Sequence, residues 1–315
     1  MAADLVATDA VIADLPPADR AAAPRWRDAL WRDPRSRVGL AILGGTVLVA
    51  LLAPLVSLGD PAIQRDVVAT RFLPPGATDV HGAFHLLGTD RLGRDIWTRL
   101  AFGARISLSV GTLAVLIALA LGTVIGAAAG LLRGPVSTAL LGFTDFMLAL
   151  PRVVLLLLLA ALWSPSAVLT VVVLGVTGWM PVARLVHAEV RSLMARPFVE
   201  SAVALGARRP RLLTRHLLPN VLTPVIVAAT LGIGNAILLE AGLSFLGLGV
   251  QPPAPSWGNM IAAGRDALMN APWIAAAPGV ALVLVVVACT LVGDAVQDSL
   301  APGATERAGR DASPT

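Results

Sequence analysis

Long apolar runs alternate with short polar segments along this chain. The first run, Val38 to Leu58, has 21 residues, enough at about 1.5 Å per residue to cross the roughly 30 Å hydrocarbon layer of a bilayer. Five further runs have comparable length: Ile106 to Leu132, Val136 to Leu162, Ala167 to Val186, Val221 to Leu248 and Trp273 to Val292. The pattern predicts an all-α membrane protein with six transmembrane helices and both termini on one side.

Composition agrees with a membrane protein. Hydrophobic residues make up 56% of the 315 residues and charged residues 14%, and the mean hydropathy is +0.78, whereas soluble proteins carry about 25% charged residues. The net charge of +4 does not indicate nucleic acid, because the arginines lie between the apolar runs, where membrane topology accounts for them.

The arginine distribution predicts the orientation. Arginines precede the first run, follow the second and crowd the join of the fourth and fifth: Arg25, Arg27, Arg32, Arg35, Arg37, Arg133, Arg184, Arg191, Arg196, Arg208, Arg209, Arg211 and Arg215. Segment 59–105 has arginines nearly balanced by aspartates. Because cytoplasmic segments carry the excess of positive charge, we expect segment 59–105 outside the cell. We expect a cytoplasmic tail at 1–37, a cytoplasmic segment at 187–220 and a disordered cytoplasmic tail at 301–315.

The residue types present exclude several chemistries. All 24 basic residues are arginine, so the chain lacks the lysine with which a P-loop reaches nucleotide phosphates. Cys289 is the single cysteine, and the four histidines show no metal-ligand spacing. We therefore expect no catalytic residue, no metal and no cofactor.

The segment Phe198 to Asn220 is polar and arginine-rich although it lies between two apolar runs. Pro197 suits the first turn of a short helix, and Gly206 permits a sharp change of direction. A second short helix is predicted to start at Pro210 and to end at Pro219. The segment is either a compact docking projection or a solvated loop whose arginines only fix the topology.

This segment resembles the cytoplasmic signature loop of ABC importer permeases, with Glu-Ala-Ala, a following glycine and a later Leu-Pro. Its matching residues are Glu200, Ser201, Ala202, Gly206, Leu218, Pro219 and Asn220. Other stretches are similar to the C-type permease subunit of dipeptide, oligopeptide and nickel importers: His85 to Gly111, Leu243 to Ile261 and Pro278 to Leu300. The likeness covers most of the chain from Trp31 to Pro302.

The resemblance implies a type I ABC importer transmembrane domain with a permease core over residues 106–300, in the bacterial cytoplasmic (inner) membrane. Such a permease forms half of the pathway and pairs with a homologous second permease, two cytoplasmic ATPases and an extracytoplasmic substrate-binding protein. Its signature loop couples to the ATPase, a role the resemblance carries to Glu200, Ser201, Ala202, Gly206, Ala207, Leu218 and Pro219. Peptides are the expected cargo, and nickel or another small solute is the alternative.

Polar residues in the apolar runs are candidates for the pathway or for packing, because an ionisable group in the bilayer is costly. They are Asp145, Asn235, Glu240 and Ser244, of which the last two share a helical face. Small residues that recur every four positions predict a face for close helix packing, within the subunit or between subunits: Gly122, Gly126 and Gly130.

His85 to Arg105 is expected to be an interfacial element on the outer face, with local i, i+4 pairs among Asp90, Arg94, Asp95 and Arg99. It either contacts the binding protein or second permease, or is a self-satisfied surface helix.

Two other function classes fit less well. A secondary transporter would show paired midplane charges and repeat halves, and no internal repeat is obvious. An intramembrane aspartyl protease would pair Asp145 with Asp294, but that class needs Gly-x-Gly-Asp and a tyrosine, which this sequence lacks.

Overall fold

The computed structural model describes residues 30–31, 33–57, 59–64, 66–204 and 209–300. Apart from one two-stranded antiparallel hairpin, the regular structure in these ranges is helical. Its elements are α1 (Pro34–Leu51), α2 (Ala53–Val56), α3 (Val67–Thr70), β1 (Ala77–Thr78), β2 (Phe84–His85), α4 (Ile96–Leu131), α5 (Pro135–Ala149), α6 (Arg152–Ala161), α7 (Ala167–Val176), α8 (Trp179–Met194), α9 (Pro197–Ala204), α10 (Arg209–Leu212), a π-helix (Leu213–Leu217), α11 (Leu218–Phe245), α12 (Trp257–Gly264), a 3-10 turn (Arg265–Ala267) and α13 (Trp273–Leu300).

Within the described ranges, five helical segments are long and apolar enough to cross a membrane: α1, α4, α7 with α8, α11 and α13. A sixth span is present if the bent pair α5 and α6 counts as one. The all-α membrane fold predicted from the apolar runs is therefore confirmed.

The second span begins ten residues before the predicted start at Ile106. Helix α4 starts at Ile96, where the Asp95 side chain accepts a hydrogen bond of 2.7 Å from the Thr98 amide. Its first turns carry the buried polar residues Thr98 and Arg99, so hydropathy alone does not reveal them. Only residues 85–95 of the predicted interfacial element thus precede the helix.

The third span is broken between α5 and α6, which meet at 85°. Pro151 lies at the break, and the preceding Leu150 has the extended backbone conformation that a following proline favours. The continuous apolar run from Val136 to Leu162 did not predict this bend.

The glycine stripe of α4 packs within the subunit. A Cβ atom at Gly122 would lie 2.6 Å from Val182 Cβ, and one at Gly126 would lie 2.9 Å from Val186 Cβ. Because these positions lack a side chain, α4 approaches α8 more closely than larger residues would permit. Of the two alternatives for the stripe, the structure shows packing inside one chain.

The prediction that Pro219 ends a short helix is wrong. The π-helix Leu213–Leu217 continues into α11 without a break, and Pro219 occupies the first turn of that span. A proline is tolerated there because the first amides of a helix have no partner within it.

Residues 59–64, 66–95 and 246–272 form a layer, the capped end, over the first turns of α4 and α13. Its core contains Ile96, Met260 and Ile274, and Trp273 Nε1 donates a hydrogen bond of 3.4 Å to the Thr89 carbonyl. The connections 132–134, 195–204 and 209–217 lie at the opposite end of the bundle. The two ends therefore differ, one packed under a folded layer and the other carrying the short helices α9 and α10.

Candidate functional site

Glu240 of α11 is a buried anchor. Its side chain is 0% exposed and accepts hydrogen bonds from Ser107 Oγ at 2.9 Å and from Ser244 Oγ at 2.6 Å. Ser107 Oγ in turn accepts from the Trp257 amide at 3.2 Å, and Ser244 Oγ accepts from the Val250 amide at 3.0 Å. The cluster joins α4, α11 and α12. Of the two roles predicted for Glu240 and Ser244, pathway lining or packing, these contacts support packing.

Asp145 of α5 forms an ion pair with Arg184 of α8, whose Nη1 lies 3.1 Å from Asp145 Oδ1. The two side chains are 49% and 51% exposed. The protease alternative needs a second carboxylate beside Asp145, and an arginine occupies that place. The pair ties the first half of the bent span to α8.

A guanidinium that sequence reasoning missed lies at the break of the same span. Arg152 is the first residue of α6, and its buried Nε has no hydrogen-bond partner among the described residues. A Cβ atom at Gly178 would lie 3.2 Å from Arg152 Nη2, so the absence of a side chain there leaves room for the guanidinium. The signal available in the sequence was an arginine directly after a proline inside a 27-residue apolar run.

Arg152 and Asn235 line one cavity of about 60 Å³ between four helices, called here the interior cavity; in the single chain Arg152 is half-buried and Asn235 is exposed. Its other described walls are small or aliphatic residues: Ala114, Val115, Ala118, Leu119, Leu174, Gly178, Val182, Ala228, Gly232 and Ala236. These walls come from α4, α7, α8 and α11, and Gly178 lies between α7 and α8. The pathway candidate Asn235 thus lines the same cavity as Arg152, on a different part of α11 from the buried Glu240 face.

A second, larger cleft of about 420 Å³ opens between α4 and α7 near the capped end. Phe102, Leu113 and Val168 give it a largely apolar lining, to which Arg105 and Ser109 also contribute. The cleft offers apolar surface with few polar groups, and the sequence did not predict it.

Residues of the capped end form a polar network. The predicted pair Asp90–Arg94 is present, with Arg94 Nη2 at 2.7 Å from Asp90 Oδ2. Asp95 does not pair with Arg99: its carboxylate caps α4 and lies 2.9 Å from His85 Nδ1, while Arg99 Nε lies 3.8 Å from Asp90. A pairing based only on i, i+4 spacing missed these partners because the chain folds back at the turns between β2 and α4.

Asp79 completes this network. His85 Nε2 lies 3.4 Å from its Oδ2, and the amides of His81 and Ala83 each donate to its Oδ1 at 2.8 Å. Burial alone would raise the pKa of the Asp79 carboxyl, but the two amides and His85 together hold it below the ordinary value of 3.8. With Asp60 and Asp95 it lines a pocket of about 280 Å³ on the capped end.

At the opposite end, α9 has one anchored and one free face. Val199 is 0% exposed and packs in a core cluster with Leu212 and Leu217. Glu200 and Ser201 are exposed, and Ser201 Oγ donates a hydrogen bond of 2.9 Å to the Pro197 carbonyl. Helix α9 therefore presents a short polar surface from a fixed base.

The remaining predicted coupling residues divide into two groups. Ala202 is partly buried on α9, while Leu218 and Pro219 lie in the first turn of α11. Gly206 and Ala207 lie outside the described residues.

The fold and these features define a polytopic helical membrane protein of the transport class. The chain belongs to the family described as the binding-protein-dependent transport system inner membrane component, whose model matches residues 122–306. It is a membrane-spanning permease subunit of an ABC importer, a class that functions with ATPase and substrate-binding partners.

Relatives match over most of the chain. The dipeptide transport system permease protein DppC of Alkalihalophilus pseudofirmus is 38% identical over 84% of this chain and 84% of its own length. The di/tripeptide transport system permease protein DppC of Pseudomonas aeruginosa is 40% identical over 84% of this chain and 86% of its own. Among solved structures, a chain of the MetNI methionine ABC transporter in inward-facing conformations matches with a TM-score of 0.52. That match has 19% identity and covers 64% of this chain and 97% of that one, and it supports the fold alone.

Proposed function

We propose that this chain is the C-type permease subunit of a peptide importer and forms half of the pathway for dipeptides or oligopeptides. The observation that carries the proposal is the extent of similarity to permeases named for dipeptide and di/tripeptide transport, which reaches 84% of this chain in both cases. Similarity on that scale includes the capped end and the interior cavity, well beyond a shared loop motif.

The cargo is tested with the complete importer in proteoliposomes. We expect labelled dialanine to accumulate when ATP is inside and the binding protein is outside, and to stop accumulating when this chain is omitted. Nickel ions offered to the same vesicles are the comparison. Accumulation of nickel without dialanine would replace the peptide assignment by the alternative cargo.

The partners in this proposal are a homologous second permease, two ATPases and an extracytoplasmic binding protein. We assign α9 as the helix that docks on an ATPase, supported by its buried base at Val199 and its exposed Glu200 and Ser201. An anchored helix transmits force to the spans that hold it, which a solvated loop does not. ATP hydrolysis belongs to the partner subunits, so the purified solitary chain should show no turnover.

The docking role is tested by Ser201→Arg. A long charged side chain on the exposed face of α9 should block the ATPases from co-purifying with the permease while leaving its insertion intact. Thr138→Arg is the matched control, since Thr138 is exposed in the first turns of α5, next to the 132–134 connection at the same end of the bundle. Full ATPase retention by Ser201→Arg would contradict the docking assignment.

The proposed orientation places α9 and both termini in the cytoplasm and the capped end outside the inner membrane. With Cys289 replaced, a cysteine introduced at Ala77 of β1 should react with an impermeant thiol reagent added outside intact cells or spheroplasts. Reaction only after the inner face is opened would reverse the orientation.

A further inference from the structure

Arg152 differs from Arg99 and Arg184 in its surroundings. Arg184 lies against Asp145 and Arg99 lies near Asp90, but no described carboxylate pairs with Arg152, and its buried Nε has no acceptor. A charged side chain within a membrane span is costly unless it is paired or hydrated. The guanidinium therefore has unused capacity to bind an anion.

The interior cavity lies near the middle of the spans. Asn235 is 17 residues from the start of α11 and 10 from its end, or roughly 26 and 15 Å at 1.5 Å per residue. Two spans are interrupted beside it, one between α5 and α6 and the other between α7 and α8. Non-helical backbone at membrane depth is tolerated where it is buried in protein or lines a water-filled cavity. The two interruptions beside the cavity are therefore consistent with a passage for solute.

The chemistry of the cavity selects the group that it can hold. A guanidinium presents a planar fork of N–H donors that matches a carboxylate, and Asn235 adds one donor and one acceptor group to the lining of the same cavity. About 60 Å³ suffices for a few water-sized groups and so for a carboxylate, while the bulk of a peptide must lie outside it. Because the other walls are small or aliphatic, they do not select for a particular peptide side chain.

We propose that Arg152 and Asn235 bind the terminal carboxylate of a peptide as it crosses the membrane. Every linear peptide carries this group regardless of its side chains, so one cationic contact serves a varied cargo. The inference rests on the proposed peptide function, since the carboxylate is that of the peptide. Arg152 acts as the charge-bearing donor, and Asn235 contributes a neutral polar group to the same cavity.

The test compares a free acid with its amide. The complete importer, reconstituted in proteoliposomes with its binding protein, is offered dialanine or dialaninamide, and uptake by each variant is divided by wild-type uptake of the same compound. This ratio cancels any preference of the binding protein. Arg152→Met should lower the dialanine ratio by about tenfold, the effect of losing one charge-assisted hydrogen bond, and change the dialaninamide ratio by less than about twofold.

Two further variants separate charge from structure. Arg152→Lys retains a cation, so we expect at least a third of wild-type dialanine uptake. Arg184→Met removes an arginine already paired with Asp145, and it should affect both compounds equally. If the binding protein rejects the amide altogether, dialanine uptake by Arg152→Lys is compared with that by Arg152→Met. Complex assembly is measured in parallel for both variants.

Several results would overturn the proposal. Equal loss of both compounds in Arg152→Met, or unchanged uptake of both, would show that no carboxylate is held there. Loss of the second permease on purification would assign Arg152 to a contact between subunits. A wild-type importer that accumulates neither compound would instead refute the peptide cargo, which is a separate failure from that of the Arg152 contact.

Discussion

Gly126 is the position where the packing of α4 on α8 can be tested most directly. A Cβ atom at Gly126 would collide with the carbonyl oxygen of Ala183 and would lie 3.0 Å from Ala183 Cα and 2.9 Å from Val186 Cβ. Two of these three atoms belong to the backbone of α8, so a side-chain rotation cannot relieve the contact. Gly126→Ala must therefore push the helices apart.

The cost follows from that geometry. Carbon atoms pack at about 3.5–4.0 Å, so the Cβ–Cβ distance of 2.9 Å to Val186 has to grow by about 0.6–1.1 Å. Overpacking of this kind costs about 1–3 kcal/mol. We expect Gly126→Ala to lower the free energy of unfolding by that amount and to lower the thermal unfolding temperature in detergent, measured by tryptophan fluorescence.

Gly142 provides the matched control, because a Cβ atom there would meet nothing within 4 Å. Gly142→Ala places the same methyl group in helix α5 and should be neutral or stabilising by up to about 1 kcal/mol, as alanine is the better helix former. Gly126→Ala is thus expected to lower the free energy of unfolding, and Gly142→Ala to leave it unchanged or raise it. If Gly126→Ala unfolds at the same temperature as Gly142→Ala, α4 and α8 do not meet at this distance, and the glycine stripe faces another subunit.

Two further predictions concern the polar clusters. Ser107→Ala should cost about 1–3 kcal/mol in unfolding free energy, because it leaves Glu240 and the Trp257 amide each without one buried partner, whereas Ser109→Ala on the exposed face of the same helix should stay within about 0.5 kcal/mol of wild type. Chemical denaturation in detergent distinguishes these outcomes, and equal effects would refute the anchor role. Because the folded-state pKa of Asp79 is lowered, its contribution is present above the ordinary pKa of 3.8 and is lost as the pH falls through the folded value. Amide exchange across residues 77–85, corrected for its intrinsic pH dependence, should accelerate in that acid range in wild type but not in Asp79→Asn, and equal acceleration in both would contradict this reasoning.

The helical, membrane-spanning character of the apolar runs could be predicted from the sequence because lipid enforces it, whereas the sixth span depends on counting the bent pair α5 and α6 as one. Every backbone group in the hydrocarbon layer needs an internal partner, so long apolar runs become helices whatever surrounds them. The start of α4 could not be predicted in the same way. Arg99 is polar by sequence but buried under the capped end, and that burial depends on residues 59–64, which lie more than 30 positions earlier in the chain.

The candidate polar residues show a similar division. The Glu240–Ser244 pair follows from helical spacing, whereas the Ser107 contact joins residues 133 positions apart and could not be found from spacing. Arg152 is hard to recognise from the sequence because seven of the ten residues of α6 are valine or leucine, and so long an apolar run predicts one uninterrupted helix. The proline marked the bend, but only the packed structure shows that the bend directs a cation toward Gly178.

The two interior polar sites differ in how firmly the chain holds them. Glu240 accepts hydrogen bonds from Ser107 of α4 and from Ser244 of its own helix, and these serines accept from backbone amides of the capped end. Arg152 belongs to the bent span, in which Thr144, Leu156 and Ala160 are the buried residues, so most of α5 and α6 is not packed against the rest of the described chain. A displacement of α6 would therefore alter the geometry of the interior cavity while the Glu240 cluster kept α4, α11 and α12 together. A fixed anchor beside a weakly supported cation suits the proposed carboxylate contact, which must bind its ligand and then release it.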